Sequence, residues 1–234
     1  MLKYLTLFLF LAAFLVSCKS SNPVSPGSSF TQPKAGSSFT FDEYSTDTTT
    51  GLPIPGTRDT SVQTFVQTGM SYKGKINVSE VVSVTSSSRD TFYLNFESNG
   101  DISEYEPGLS ANFNWFTIPI GSKTTSLLIS EDTTISFGGI TEHTKSTVTI
   151  SYVDDETMTV KGQSLSVTKL QLLAVSTQTV TPPGTTTTTT DISFAYFAPS
   201  LGYLTKSETP VSTDPTSGTK SQGRLSILFD YTEK

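Results

Sequence analysis

Few side chains in this 234-residue sequence could do chemistry, for it holds one cysteine, Cys18, and one histidine, His143. A lone thiol cannot close an intramolecular disulfide, so in a secreted chain it calls for another partner or a modification. Imidazole is the usual general base near neutral pH. His143 stands in Ile140-Thr141-Glu142-His143-Thr144-Lys145, and no Gly-x-Ser-x-Gly elbow accompanies it. No His-x-x-x-His or Cys-x-x-Cys spacing offers a metal site. Carboxylates gather at Asp154-Asp155-Glu156 and at Asp101, Glu104 and Glu106. Paired acids can hydrolyse glycosides at a defined separation, and acidic loops can hold Ca²⁺, but EF-hand spacing is absent. Acids beside turns and strand ends read as solvated. The sequence therefore assigns no catalytic residue, no metal ligand and no cofactor. The expectation is a non-enzymatic protein, with a hydrolase built on Asp154, Asp155 and Glu156 as the lesser alternative.

Aromatic side chains are a richer signal. Tyr93, Tyr105, Phe113, Trp115, Phe116, Phe194, Tyr196 and Phe197 fall in strand candidates. Core packing is their ordinary role, because aromatics suit sheets and bury large areas. A curved sheet can instead enclose one apolar ligand. In that case Phe113, Trp115, Phe116 and Tyr196 are the expected lining for a lipid or acyl chain.

The elements that must hold these residues begin with an export segment. Met1–Lys3 carries a positive charge, and Leu5–Val16 is an apolar run too short for a comfortable membrane span. The run ends in Leu15-Val16-Ser17-Cys18, which resembles the lipobox of bacterial lipoproteins. The resemblance implies a signal peptide over 1–17 and lipid on Cys18, as a diacylglyceryl thioether with an acylated, palmitate-type amine. One acyl chain anchors marginally and two or more anchor stably, at about 0.8 kcal/mol per buried CH₂. Lys19, where an Asp retains some lipoproteins at the inner membrane, implies by analogy the outer membrane. The expected localisation is the cell envelope, with the membrane as first partner and a lipid or another envelope protein as the second.

Composition narrows the classes further. The net charge is −6 and the cations are scattered singly, which disfavours nucleic-acid binding. Residues 18–37 are rich in Ser, Pro and Gly and predict a lipidated cysteine followed by a flexible tether. Residues 38–234 predict one antiparallel β domain.

Within it, Ser38–Ser45 alternates Phe39, Phe41 and Glu43 against Thr40, Asp42 and Tyr44. Lys73-Gly74 and Lys161-Gly162 separate further strand pairs, and Asn99-Gly100 predicts a type I′ hairpin turn. The spacing gives two short strands over Thr124–Ser130 and Thr133–Phe137, and an end to the next at Asp154-Asp155. It makes Thr181–Thr190 an exposed hairpin loop. Helical periodicity is absent after residue 20. The fold class is all-β: an antiparallel, strongly curved sheet, a half-barrel or a barrel or sandwich, with few or no helices beyond the signal peptide. Ser151–Leu172 and Phe194–Glu208, the latter reading YFAP-x-x-GY-x-x-K-x-E in part, resemble the DUF3108-like group and the lipoprotein-carrier half-barrels. That resemblance implies a curved antiparallel sheet and no particular activity.

Overall fold

The structure is a computed structural model that describes residues 32–107, 115–213 and 218–234. Cys18, Phe113, the 1–17 signal segment and the first part of the 18–37 tether lie outside the described residues.

The strands are β1 (Ser38–Ser45), β2 (Asp59–Tyr72), β3 (Lys75–Val84), β4 (Arg89–Phe96), β5 (Ile102–Tyr105), β6 (Phe116–Ile118), β7 (Thr125–Phe137), β8 (Ile140–Val160), β9 (Gln163–Thr181), β10 (Thr185–Ala198), β11 (Tyr203–Thr209), β12 (Ser212–Thr213), β13 (Lys220–Ser221) and β14 (Arg224–Thr232). Twelve of them form one antiparallel sheet in the order β6-β5-β4-β3-β2-β1-β14-β11-β10-β9-β8-β7, and β12 pairs with β13 alone. The sheet curls until its edge strands β6 and β7 lie beside each other without pairing, which leaves a nearly closed barrel. Among the described residues there is no α-helix, only a 3₁₀ turn at Pro55–Thr57.

Two-residue turns set much of this register. Lys73-Gly74, Gly138-Gly139 and Lys161-Gly162 all have positive φ at both positions, the geometry whose twist matches paired strands. They join Tyr72 to Lys75, Phe137 to Ile140 and Val160 to Gln163. Asn99-Gly100 differs from expectation, because only Gly100 is left-handed. Asn99 instead uses its side chain, donating to Asp101 at 2.8 Å, so the connection is a wider loop and not a type I′ turn.

Three further expectations are corrected. The polythreonine run is strand, not loop. Only Pro182–Gly184 turns, and Thr185–Thr190 pairs in full register with β9. Threonine is β-favouring, and its hydroxyls pair across the strands, Thr177 with Thr188 at 3.2 Å and Thr179 with Thr186 at 3.1 Å. The two short strands near residue 130 are one strand, β7, with an irregularity between Leu127 and Ile129. Strand β8 does not stop at Asp154-Asp155. A bulge between Tyr152 and Asp154 absorbs one residue, and pairing with β9 continues to Val160.

The molecule has two distinct ends. At one, Ser38 lies opposite both Thr232 and Thr64, Gly36 and Ser37 extend the β1–β2 pairing, and Gln32 donates to Ser79 at 2.8 Å. The N-terminal segment therefore enters there. At the other end lie Ser45, Asp59, Thr209 and Arg224. Beyond them project residues 131–146 of β7 and β8 and 175–190 of β9 and β10, none of which is buried. This blade ends in Ile135, Phe137 and Ile140, with Phe137 88 % exposed.

The core fills the interior of the curl. Phe39, Phe41, Phe65, Phe92, Ile102, Ile118, Ile150, Leu170, Phe197 and Tyr203 are fully buried there. Phe39 packs against both Phe65 and Tyr203, with ring centroids at 6.0 and 5.0 Å.

Candidate functional site

Alternation along the strands puts polar side chains on the same face as this core. On β1, Glu43 follows Phe39 and Phe41, and Asp59 lies directly opposite it on β2. Serines of β11 and β14 meet at Ser207 and Ser226, which are also in register. Together they shape a cleft of about 220 Å³ at the blade end, lined by Glu43, Tyr44, Asp59, Ser207, Arg224 and Ser226 among others. Burial pushes the Glu43 carboxyl above its ordinary range. The Ser61 hydroxyl opposes that rise, the Asp59 charge adds to it and Arg224 offsets part of it. Ser226 Oγ is buried and has no partner among the described residues. Donors and acceptors thus mix in one small concavity, which suits a polar ligand.

A second polar group runs deeper along the same wall. Phe39, Gln63, Ser83 and Asp90 are successive cross-strand partners over β1 to β4. Glu104 on β5 lies opposite Leu94 on β4 and Phe116 on β6. Glu106 shares its face by period two. Gln63 Oε1 accepts from the Tyr203 hydroxyl at 3.2 Å, while Gln63 Nε2 is buried without a partner. Asp90 Oδ2, both oxygens of Glu104 and Glu106 Oε2 are likewise buried and unpartnered. Burial raises the Glu104 carboxyl well above its ordinary value, with the Glu106 charge adding to it. Burial, then the Asp90 charge, brings Glu106 to about 7.

The residues expected to line an apolar cavity occupy separate places. Trp115 Nε1 donates to the Lys73 carbonyl at 3.0 Å, with its ring near Tyr105 and Lys75. Phe116 is part of the packed core. Tyr196 is 3 % exposed, donates to Glu208 and lies between Lys169 and Lys206.

The other titratable candidates each meet a charged or amide partner. His143 Nε2 meets Asp132 Oδ1 at 2.6 Å on the exposed blade, away from the mouth. Asp155 pairs with Lys123, and Glu156 with Lys169 at 2.7 Å. Asp101 accepts from the Gly121 and Ser122 amides at 2.9 and 2.8 Å, tying the β4–β5 loop to the β6–β7 loop. Among the described residues no group of His, Cys, Asp and Glu is placed to hold a metal ion.

Sequence reasoning placed Glu43 beside Phe39 and Phe41 but missed Gln63, Asp90 and Arg224 as site residues. The available signal was period-two alternation, which sets Gln63 with Phe65 and Glu104 with Ile102 on core-facing positions.

The fold and site define a nearly closed antiparallel sheet with a polar mouth and a projecting blade. No known family pattern matches the chain, and no curated protein matches it. Among solved structures it is similar to a Bacteroides fragilis NCTC 9343 protein provisionally named as exported with a YmcC-like fold. That match has 13 % identity and a TM-score of 0.47, over 88 % of this chain and 100 % of that one. It is also similar to a provisionally named lipoprotein of Parabacteroides distasonis ATCC 8503, with 11 % identity and a TM-score of 0.46, over 87 % and 99 %. The hypothetical lipoprotein YmcC of Escherichia coli K12 matches with 11 % identity and a TM-score of 0.31, over 97 % and 96 %.

Proposed function

We propose that this chain is an exported, lipid-anchored binding protein of the cell envelope, non-enzymatic, that holds a small polar ligand in the mouth of its sheet. The observation that carries the reading is the cleft of Glu43, Asp59, Arg224 and Ser226 at the end opposite the N-terminal segment. A chain held through Cys18 would present that mouth away from the bilayer, most simply the outer membrane. The packed interior around Phe39, Phe65 and Tyr203 favours a polar occupant over an acyl chain.

Two measurements test it together. Labelled palmitate should enter the wild type and not Cys18→Ser, and only the wild type should stay with membranes. Native mass spectrometry of protein extracted from membranes should reveal a small polar adduct that Arg224→Ala and Glu43→Gln lose. An unlabelled wild type would remove the anchor from this reading. An adduct-free protein, or an adduct indifferent to both mouth variants, would remove the ligand.

A second reading, an assembly lipoprotein that works through protein contacts, is supported by the unpaired edge of β7 and the exposed Ile135, Phe137 and Ile140 at its tip. Crosslinking in cells from residues 131–137 would yield one specific protein adduct on this reading and none on the first.

A further inference from the structure

Carboxylates are among the costliest groups to bury, and those that are buried normally find a cation or several hydrogen-bond donors. The inner wall below the mouth breaks that pattern. Glu104 is 0 % exposed, and neither of its oxygens has a partner among the described residues. Glu106 and Asp90 each bury one carboxyl oxygen in the same condition. The neighbouring strands bring no positive charge to them. Strand β2 contributes Gln63, β3 contributes Ser79 and Ser83, and β6 contributes Phe116 and Ile118. Lys75 is committed elsewhere, to Glu97, Ser103 and the Trp115 ring. Gln63 adds an independent buried polar group to this row, since it is 0 % exposed and its Nε2 has no partner among the described residues.

We propose that Asp90, Glu104 and Glu106, with Gln63 at the end of the row, form a subsite for an organic ammonium group that carries an oxygen acceptor beside it. The carboxylates accept the ammonium N–H bonds, and the Gln63 amide donates to the neighbouring oxygen. The spacing of these acids does not suit a metal ion, whereas an ammonium on a small organic skeleton tolerates longer and less regular contacts. Asp90 and Glu106 are partly exposed and Glu104 is fully buried, so on this proposal the ligand approaches from Asp90 and Glu106. The subsite deepens, and rests on, the reading of the mouth as a ligand site, because the mouth and this row share one wall of the sheet. An amino sugar and the ethanolamine head of a lipid share the required chemistry.

Calorimetry on the full lipidated protein in detergent at pH 6 tests it with glucosamine and ethanolamine as probes. The controls are N-acetylglucosamine, which lacks the charge, and choline, which lacks the N–H donors. Saturable binding is expected for a probe, with its matched control at least about tenfold weaker. Proton release on binding, read from heats in two buffers, is expected because a cation favours the ionised carboxyls. Displacement of bound glucosamine by phosphatidylethanolamine, added as mixed micelles in the same detergent, would identify the lipid as source, and indifference to it the free amine. Glu104→Gln with Glu106→Gln should abolish both binding and proton release while thermal stability is kept or raised. Equal binding of N-acetylglucosamine, lost in Arg224→Ala, would overturn the ammonium subsite and leave the mouth standing. No saturable binding of any probe, or unchanged binding in the Glu104/Glu106 variant, would also overturn it.

Discussion

The hydroxyl of Tyr196 donates to Glu208 Oε1 at 2.5 Å, reaching diagonally from β10 to β11, since Tyr196 is directly opposite Lys206. Lys206 pairs with Glu208 and also lies 4.5 Å from the Tyr196 ring centroid. Burial, and then this carboxylate, drive the phenol far above its ordinary range. Tyr196→Phe keeps the ring and deletes the donor. It should cost about 1.5–3 kcal/mol, the scale of a hydrogen bond to a charged group. Urea unfolding should show a lower midpoint with an unchanged slope.

Stability should fall as pH rises across the neutral range. Glu106, raised from 4.5 to about 7, keeps its proton in the folded state where the unfolded chain has lost it. Glu104 is raised as well. The folded state therefore binds more protons above the unfolded pKa, so the stability present below pH 4.5 is lost as pH climbs towards 7. The melting temperature should drop by an amount on the order of 5 °C between pH 5 and pH 8. Glu104→Gln with Glu106→Gln should flatten that slope, as differential scanning fluorimetry would read. A pH-independent wild type would contradict the assignment.

Gly121 should tolerate no side chain. A Cβ there would stand 2.0 Å from the Asn99 carbonyl oxygen and 2.7 Å from the Gly100 Cα. The Asp101 carboxylate holds the Gly121 and Ser122 amides at that crossing, so neither loop can move without losing those bonds. Gly121→Ala should destabilise by roughly 2–4 kcal/mol, the range of overpacking with lost buried hydrogen bonds. Chemical denaturation beside Gly56→Ala, whose added Cβ meets nothing, gives the comparison.

Phe137 presents the opposite case. It is exposed and packs on nothing in the core, so Phe137→Ser should change stability by less than about 0.5 kcal/mol. If the blade tip docks a partner, the same variant should lose the crosslinked adduct while its unfolding curve overlays the wild type.

Local chemistry was readable where one stretch of chain decides the outcome. β1 spans the residues its alternation predicts, and Lys73-Gly74 and Lys161-Gly162 turn as expected. The failures lie where a neighbour decides. Thr185–Thr190 looks like low-complexity loop until β9 supplies a register partner for every residue and hydroxyl partners for Thr186 and Thr188. Asp154 resembles a strand end until a bulge lets β8 pass it. The polar wall was least legible, because Gln63, Ser83 and Asp90 come from three strands and meet only through register. Nothing in their sequence spacing announces a site.

Strand β1 sits between β2 and β14, so Ser38 faces Thr232 across nearly the whole length of the chain. Every other join in the main sheet except β11 to β14 links neighbours in sequence. Folding thus divides into two sets of quick, local hairpins and one slow closure between the earliest and latest strands, whose loop entropy must be met first. A polypeptide emerging N-terminus first keeps the outer edge of β1 open until β14 arrives. During that interval a row of backbone donors and acceptors is free to pair with another chain, and a chaperone able to shield an open strand would have most effect then.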